Sequence, residues 1–217
     1  MNNLMFRRIV ALACALILTA CESTYYDAWE KVGVHKRDIL IDRLEEVQAA
    51  QEEGQEQFKD ALEQFKAVVT FDGGKLEDVY NRLNDEYEDS VSAAEEISDR
   101  INSVESVAEA LFSEWEAELQ EYDNANLRRD SARQLKQTQR KYRRLHTAMR
   151  NAEKTIDPVL SNLKDNVLYL KHNLNARAIA SLKNELGNVN RDITIMIDAM
   201  QRAINESNSF IDEMKQG

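Results

Sequence analysis

The chain has 217 residues, a single proline, six glycines, 31% charged residues and a formal net charge of −11. Few prolines and glycines with abundant Glu, Gln, Ala, Lys and Arg is the composition of long helices, and apolar residues recurring at helical period exclude a disordered chain. Only two cysteines are present, Cys14 and Cys21, which excludes a cysteine-built zinc cluster.

The chain opens MNNLMFRRIVALACALILTACES. Arg7 and Arg8 give a positive start, and residues 9–18 form an apolar run about half the ~20 residues that a membrane-spanning helix needs. That is the pattern of an export signal rather than a span. The run closes on Leu18-Thr19-Ala20-Cys21, which has the form of a bacterial lipobox: a small residue before the cleavage point and a thiol just after it. The expectation is a cleaved lipoprotein signal peptide over residues 1–20, lipidation at Cys21 by diacylglycerol with an acylated (palmitate-type) amino terminus, and a short tether over residues 21–26. Cys14 leaves with the signal, so the processed chain has no intrachain disulfide. Each buried methylene contributes about 0.8 kcal/mol, and two or more acyl chains anchor stably. Glu22 stands where an Asp would favour inner-membrane retention, so the periplasmic face of the outer membrane is expected. An ordinary secretory signal with a chance cysteine is the competing reading.

Residues 27–217 read as one helical domain. Thr70-Phe71-Asp72-Gly73-Gly74 and Asp123-Asn124-Ala125-Asn126 are clear turn signals, and His172-Asn173-Leu174-Asn175 is a weaker one. They divide the chain into four segments of roughly 40–48 residues, about 60–70 Å each as helices. Every segment carries an apolar seam at 3–4 spacing. The first is the poorest: Leu40, Leu44, Val47, Gln51, Gly54, Phe58, Ala61, Phe65 and Val68. The second runs from Tyr80 to Tyr122, the third from Leu135 to Leu170 and the fourth from Ile179 to Met214. Extra apolar neighbours such as Leu160, Val167, Ile197, Ile204 and Ile211 widen the stripe beyond that of a two-stranded coil. The expected fold is therefore all-α, an elongated antiparallel bundle of four long helices with coiled-coil-like packing. Pro158 lies inside the third segment; the seam continues in phase from Ile156 to Val159 and Leu163, which favours a kink over a boundary. Continuity through Asn173 would give three helices, one very long.

Catalytic signals are sparse. His35, His146 and His172 are far apart, and none has Glu three residues before it, so the di-iron pattern is missing. Gly73-Gly74-Lys75-Leu76 lacks the first glycine and the Ser/Thr of a phosphate loop. The acidic pairs, such as Glu45-Glu46 and Glu95-Glu96, point apart on a helix and read as a solvated face. No enzyme activity and no cofactor or metal are expected.

Charge is unevenly placed. Residues 75–122 hold 15 acids and 3 bases, whereas residues 128–154 hold ten Lys/Arg and two acids. One reading of the basic run is an anion-binding surface for nucleic acid, lipopolysaccharide phosphates or acidic lipid, formed by Arg128, Arg129, Arg133, Lys136, Arg140, Lys141, Arg143, Arg144 and Arg150. The other is internal neutralisation, in which a hairpin about Asn124 lays Glu105, Glu109, Glu114, Glu116, Glu118 and Glu121 beside Arg128 to Arg144. The short turn between oppositely charged segments favours neutralisation. Tyr142 is the only aromatic in the run, which argues against base stacking.

The stretches YYDAWEKVGVHKRDILIDR, EQFKDALEQFKAVVTFDGGKLEDVYNRLNDEYEDS, VAEALFSEWEAEL and LKHNLNARAIASL resemble the proteobacterial lipoproteins grouped as Domain of Unknown Function 2959. The resemblance covers nearly all of the chain after the signal and implies no catalytic residues. Some relatives carry a "DNA repair" label, but an exported, lipid-anchored chain does not meet chromosomal DNA, and nucleic acid is not expected as a partner. The function expected is that of a membrane-anchored periplasmic lipoprotein with a non-enzymatic structural or interaction role. Its partners would be the membrane, through the N-terminal lipid, and a protein or a second copy. The alternatives are an anion-binding envelope protein using residues 128–154, and a DNA-repair-associated coiled coil.

Overall fold

The computed structural model describes residues 35–216. The signal segment, Cys21 and the tether lie outside the described residues. Five helices follow one another, with no strand among the described residues: α1 (Lys36–Val69), α2 (Leu76–Glu118), α3 (Ala125–Glu153), α4 (Ile156–His172) and α5 (Ala176–Gln216). They correspond to the four expected segments, with the third divided between α3 and α4. None of them is long and apolar enough to cross a membrane.

The breaks have local causes. At the end of α1, the Thr70 amide and hydroxyl both donate to the Lys66 carbonyl, at 3.0 and 2.8 Å. The chain then reverses through Gly74, whose φ of 108° is open to glycine and strained for any side chain. Asn124 caps α3: its Oδ1 accepts the amides of Asn126 and Leu127, at 2.9 and 3.3 Å. Asn175 caps α5 in the same way, accepting from Arg177 and Ala178 at 3.0 and 3.2 Å. Helix α2 stops at Glu118, several residues before the expected turn. Its last turn carries no base, and Glu116 and Glu118 stand at the helix end where the macrodipole disfavours anions. Tyr122, read from the sequence as the end of the second seam, is consequently exposed.

Pro158 does more than kink the third segment. It is the third residue of α4, and residues 154–155 form a turn. Proline lacks an amide hydrogen and its ring crowds the carbonyl four residues earlier, here that of Lys154. The chain tightens at that point: the Thr155 amide turns to the Ala152 carbonyl at 3.0 Å. The seam nevertheless stays in phase across the break, with Met149, Ala152, Ile156, Val159 and Leu163 all buried. The second question, at Asn173, resolves as a boundary. Asn173 closes α4 through its amide on the Leu170 carbonyl and its side chain on the Tyr169 carbonyl.

The described residues form two compact units, the first from residues 35–42 with Ser103–Gln139, the second from Arg43–Asn102 with residues 140–216. In the second unit, polar contacts give the order of the helices. Helix α1 meets α2 through Gln57–Glu86 and Arg100–Glu46, and meets α5 through Gln48–Asn208 and Lys215–Glu45. Helix α2 meets α3 through Arg150–Asn102, and α4 meets α5 through Asn162–Asp192. With Tyr169–Ser181 as a second contact between α4 and α5, the α1–α2, α1–α5 and α4–α5 pairs are antiparallel, because rising numbers on one helix meet falling numbers on the other. This is a closed up-and-down four-helix bundle. Its core includes Phe58, Phe65, Leu83, Ile97, Met149 and Leu163, all fully buried. In the first unit, Lys36 on α1 pairs with Glu114 on α2 at 2.8 Å, and Trp115 on α2 donates to Ser131 on α3 at 2.8 Å.

The seam of α1 is buried throughout, Gln51 and Gly54 included. A Cβ on Gly54 would stand 2.8 Å from Ile97 Cδ1, so the glycine permits a close approach of α1 to α2. Gln51, Gln55 and Ser207 are buried with a side-chain nitrogen or hydroxyl unpartnered among the described residues. Polar groups at seam positions cost stability, and in coiled coils they also disfavour other registers. Two substitutions test this packing. Gly54→Leu should lower stability by about 1–3 kcal/mol through overpacking, although leucine is the better helix former. Gly187→Ala, where an added Cβ meets nothing within 4 Å, should raise stability by up to about 1 kcal/mol. Urea unfolding measures both; an unchanged midpoint for Gly54→Leu would show that α1 and α2 are not in close contact there.

Candidate functional site

Helix α3 is the most polar of the five. Its buried positions, Leu135, Leu145, Met149 and Ala152, lie on one side. At 100° per residue, Arg129, Arg133, Lys136, Arg140, Arg143 and Arg144 fall on the opposite side, at spacings of three and four. All six are exposed. They form a cationic stripe whose ends are about 22 Å apart along the helix. Arg128, also exposed, stands beside the start of this stripe in the first turn of α3. Lys141 and Arg150 flank it and are half-buried.

Partners divide these residues into two sets. Lys141 pairs with Glu213 on α5, Arg150 with Glu153 and with the Asn102 carbonyl oxygen of its side chain, and Arg133 with Asp130 one turn back. Arg129 donates to the side chain of Asn126. Arg128, Lys136, Arg140, Arg143 and Arg144 have no ion pair or side-chain hydrogen bond among the described residues.

This arrangement differs from the internal neutralisation that the sequence favours. Among the described residues, no ion pair joins the acids of α2 to Arg128, Arg129, Arg133, Lys136, Arg140, Arg143 or Arg144. Glu114 turns to Lys36 on α1, and Glu116 receives an uncharged partner, Gln139, at 2.9 Å. The reason is geometric. Leu135, Leu145 and Met149 turn inward, which carries the stripe to the far side of α3. Tyr142 and His146 pack together: Tyr142 stacks on His146 at 5.9 Å between centroids and meets Phe210 at 6.2 Å, whereas His35 and His172 are exposed. Lys36, only 4% exposed, is a buried cation that the sequence does not reveal, since its partner lies 78 residues away. Cys21 is outside the described residues.

Local energetics do not explain the stripe. Like charges three and four residues apart on a helix repel by a few tenths of a kcal/mol per pair. The first turn of α3 has no acid, yet Arg128 and Arg129 stand near that helix start, where the macrodipole favours anions.

Residues 25–214 match the family described as "Protein of unknown function (DUF2959)". The chain belongs to this family. No curated protein matches it. Membership in DUF2959 agrees with the resemblance seen in the sequence and assigns no site, so the stripe on α3 stands on its own chemistry.

If these cations have no internal partner, removing their charge relieves repulsion. A variant with Lys136→Gln, Arg140→Gln and Arg144→Gln should be at least as stable as the parent at low salt. The gain should be a few tenths of a kcal/mol per like-charged pair removed, fading as salt rises. Thermal melting at two ionic strengths measures it; a clear loss of stability at low salt would restore the neutralisation reading.

Proposed function

We propose that this DUF2959 protein is a lipid-anchored protein of the bacterial envelope, held through Cys21 at the periplasmic face of the outer membrane. Its helices serve as a non-enzymatic interaction module, with the basic face of α3 as the binding surface. The observation that carries the binding surface is the set of five exposed cations without an ion pair among the described residues. Repulsion between neighbouring cations works against them, and the macrodipole works against Arg128 in the first turn. A charge pattern that local repulsion opposes, and that no ion pair among the described residues neutralises, is suited to an external anion.

The anchor is supported by residues 7–21: two arginines, an apolar run too short to span a membrane, and a cysteine directly after Leu18-Thr19-Ala20. A purely structural role for the basic run is the second reading. It is favoured by the acid-rich composition of α2 and by the ion pairs of Arg133, Lys141 and Arg150, and the pairing of Glu114 and Glu116 away from the arginines weakens it.

The anchor is tested with Cys21→Ser. The parent should incorporate labelled fatty acid and fractionate with membranes, whereas the variant should incorporate none and remain as unprocessed or soluble protein. Unchanged labelling and fractionation in the variant would remove Cys21 from the proposal.

A further inference from the structure

The anion that suits this stripe can be narrowed by where the chain enters the fold. In the first unit, Lys36 at the start of α1 pairs with Glu114. The next residue along α2, Trp115, hydrogen-bonds Ser131 on α3. The start of α1 therefore lies at the same level as the part of α3 that carries Arg128, Arg129, Arg133 and Lys136. Thirteen residues lie between Cys21 and His35, and covalent geometry limits the reach of this stretch to about 50 Å. A lipid on Cys21 would tether this end of the first unit within that reach of a bilayer surface.

From this juxtaposition we propose that the cationic face of α3 docks onto the anionic phospholipid headgroups of the membrane that holds the lipid anchor, and so orients the helices on that surface. The proposal rests on the lipid-anchor reading above. A straight row of cations on a convex helix suits a flat array of phosphates. It does not converge on one pocket, as the site for a small anion would. The face also lacks aromatic rings on which bases could stack, since Tyr142 is half-buried and packs against Phe210. The net negative charge of the chain does not forbid the contact, because at physiological salt charges more than about 8 Å away are largely screened. The acyl chains supply retention. The stripe supplies direction, and tethering lets a weak contact act at high effective concentration.

The test uses the processed chain, residues 21–217, with Cys21→Ser so that no lipid contributes. It is floated with vesicles of equimolar phosphatidylglycerol and phosphatidylcholine, and separately with vesicles of phosphatidylcholine alone. Binding should appear on the first only and fall as salt rises. Replacing Arg128, Lys136, Arg140, Arg143 and Arg144 by glutamine should reduce partitioning on the order of a hundredfold or more, with helicity unchanged by circular dichroism. Replacing Arg128, Arg140, Arg143 and Arg144 by lysine should preserve binding, which keeps the test decisive if the glutamine variant folds poorly. Equal binding to both vesicles, no binding to either, or full binding by a folded glutamine variant would overturn the proposal. So would retention on heparin without vesicle binding, or self-association that accounts for the sedimentation. Fatty-acid labelling of the unaltered chain is read separately: acylation without vesicle binding overturns the docking alone, and vesicle binding without acylation overturns the anchor alone.

Discussion

A helix of some forty residues is held in water less by its own propensity than by the surface that covers its apolar stripe. In this protein that burial is the constraint on which everything else depends. The seam of α1 repeats every three and four residues, and all nine of its positions from Leu40 to Val68 are buried. The same repeat continues through α3 and α4 across an interruption of two residues. Because each seam must meet the others, the rotation of every helix about its axis is determined, and with it the face that each helix turns to water.

The cationic face of α3 follows from that rotation. Turning Leu135, Leu145 and Met149 inward sends Arg129, Lys136, Arg140 and Arg144 outward, away from α2. Neutralising them internally would require α3 to rotate and expose its seam. Buried apolar side chains contribute about 1.5–3 kcal/mol each, whereas surface ion pairs contribute about 0–1 kcal/mol, so the packing term decides. An exposed basic face beside an acid-rich helix is the consequence, and the reading of this DUF2959 protein as an envelope interaction module grows from it.

The interruptions show the same balance on a smaller scale. Pro158 removes one backbone hydrogen bond and crowds the Lys154 carbonyl, and the chain yields locally by a turn at 154–155. The seam does not yield: Ala152 and Ile156 remain buried on either side. At the close contact of Gly54 with Ile97, α1 accepts the weaker helix propensity of glycine in exchange for a closer approach to α2. The unpartnered polar atoms of Gln51 and Gln55 flank that glycine in the sequence of α1. They explain why this seam reads as the poorest of the four although it is as buried as the others.

Sequence alone determined the all-α class, the segment count, the turn at Gly73-Gly74 and most seam positions, because these depend on periods of three and four residues and on backbone preferences that act locally. It also determined which residues are cationic. Tertiary structure decided where the charges go. Lys36 finds Glu114 across 78 residues, Glu116 finds Gln139, and Arg140 and Arg144 find no ion partner among the described residues. Composition showed that acids and bases adjoin a single turn, which favoured pairing between them. It could not supply the rotation of α3, because that angle is set by side chains on several helices packing at once, and only their joint burial turns the arginines toward solvent.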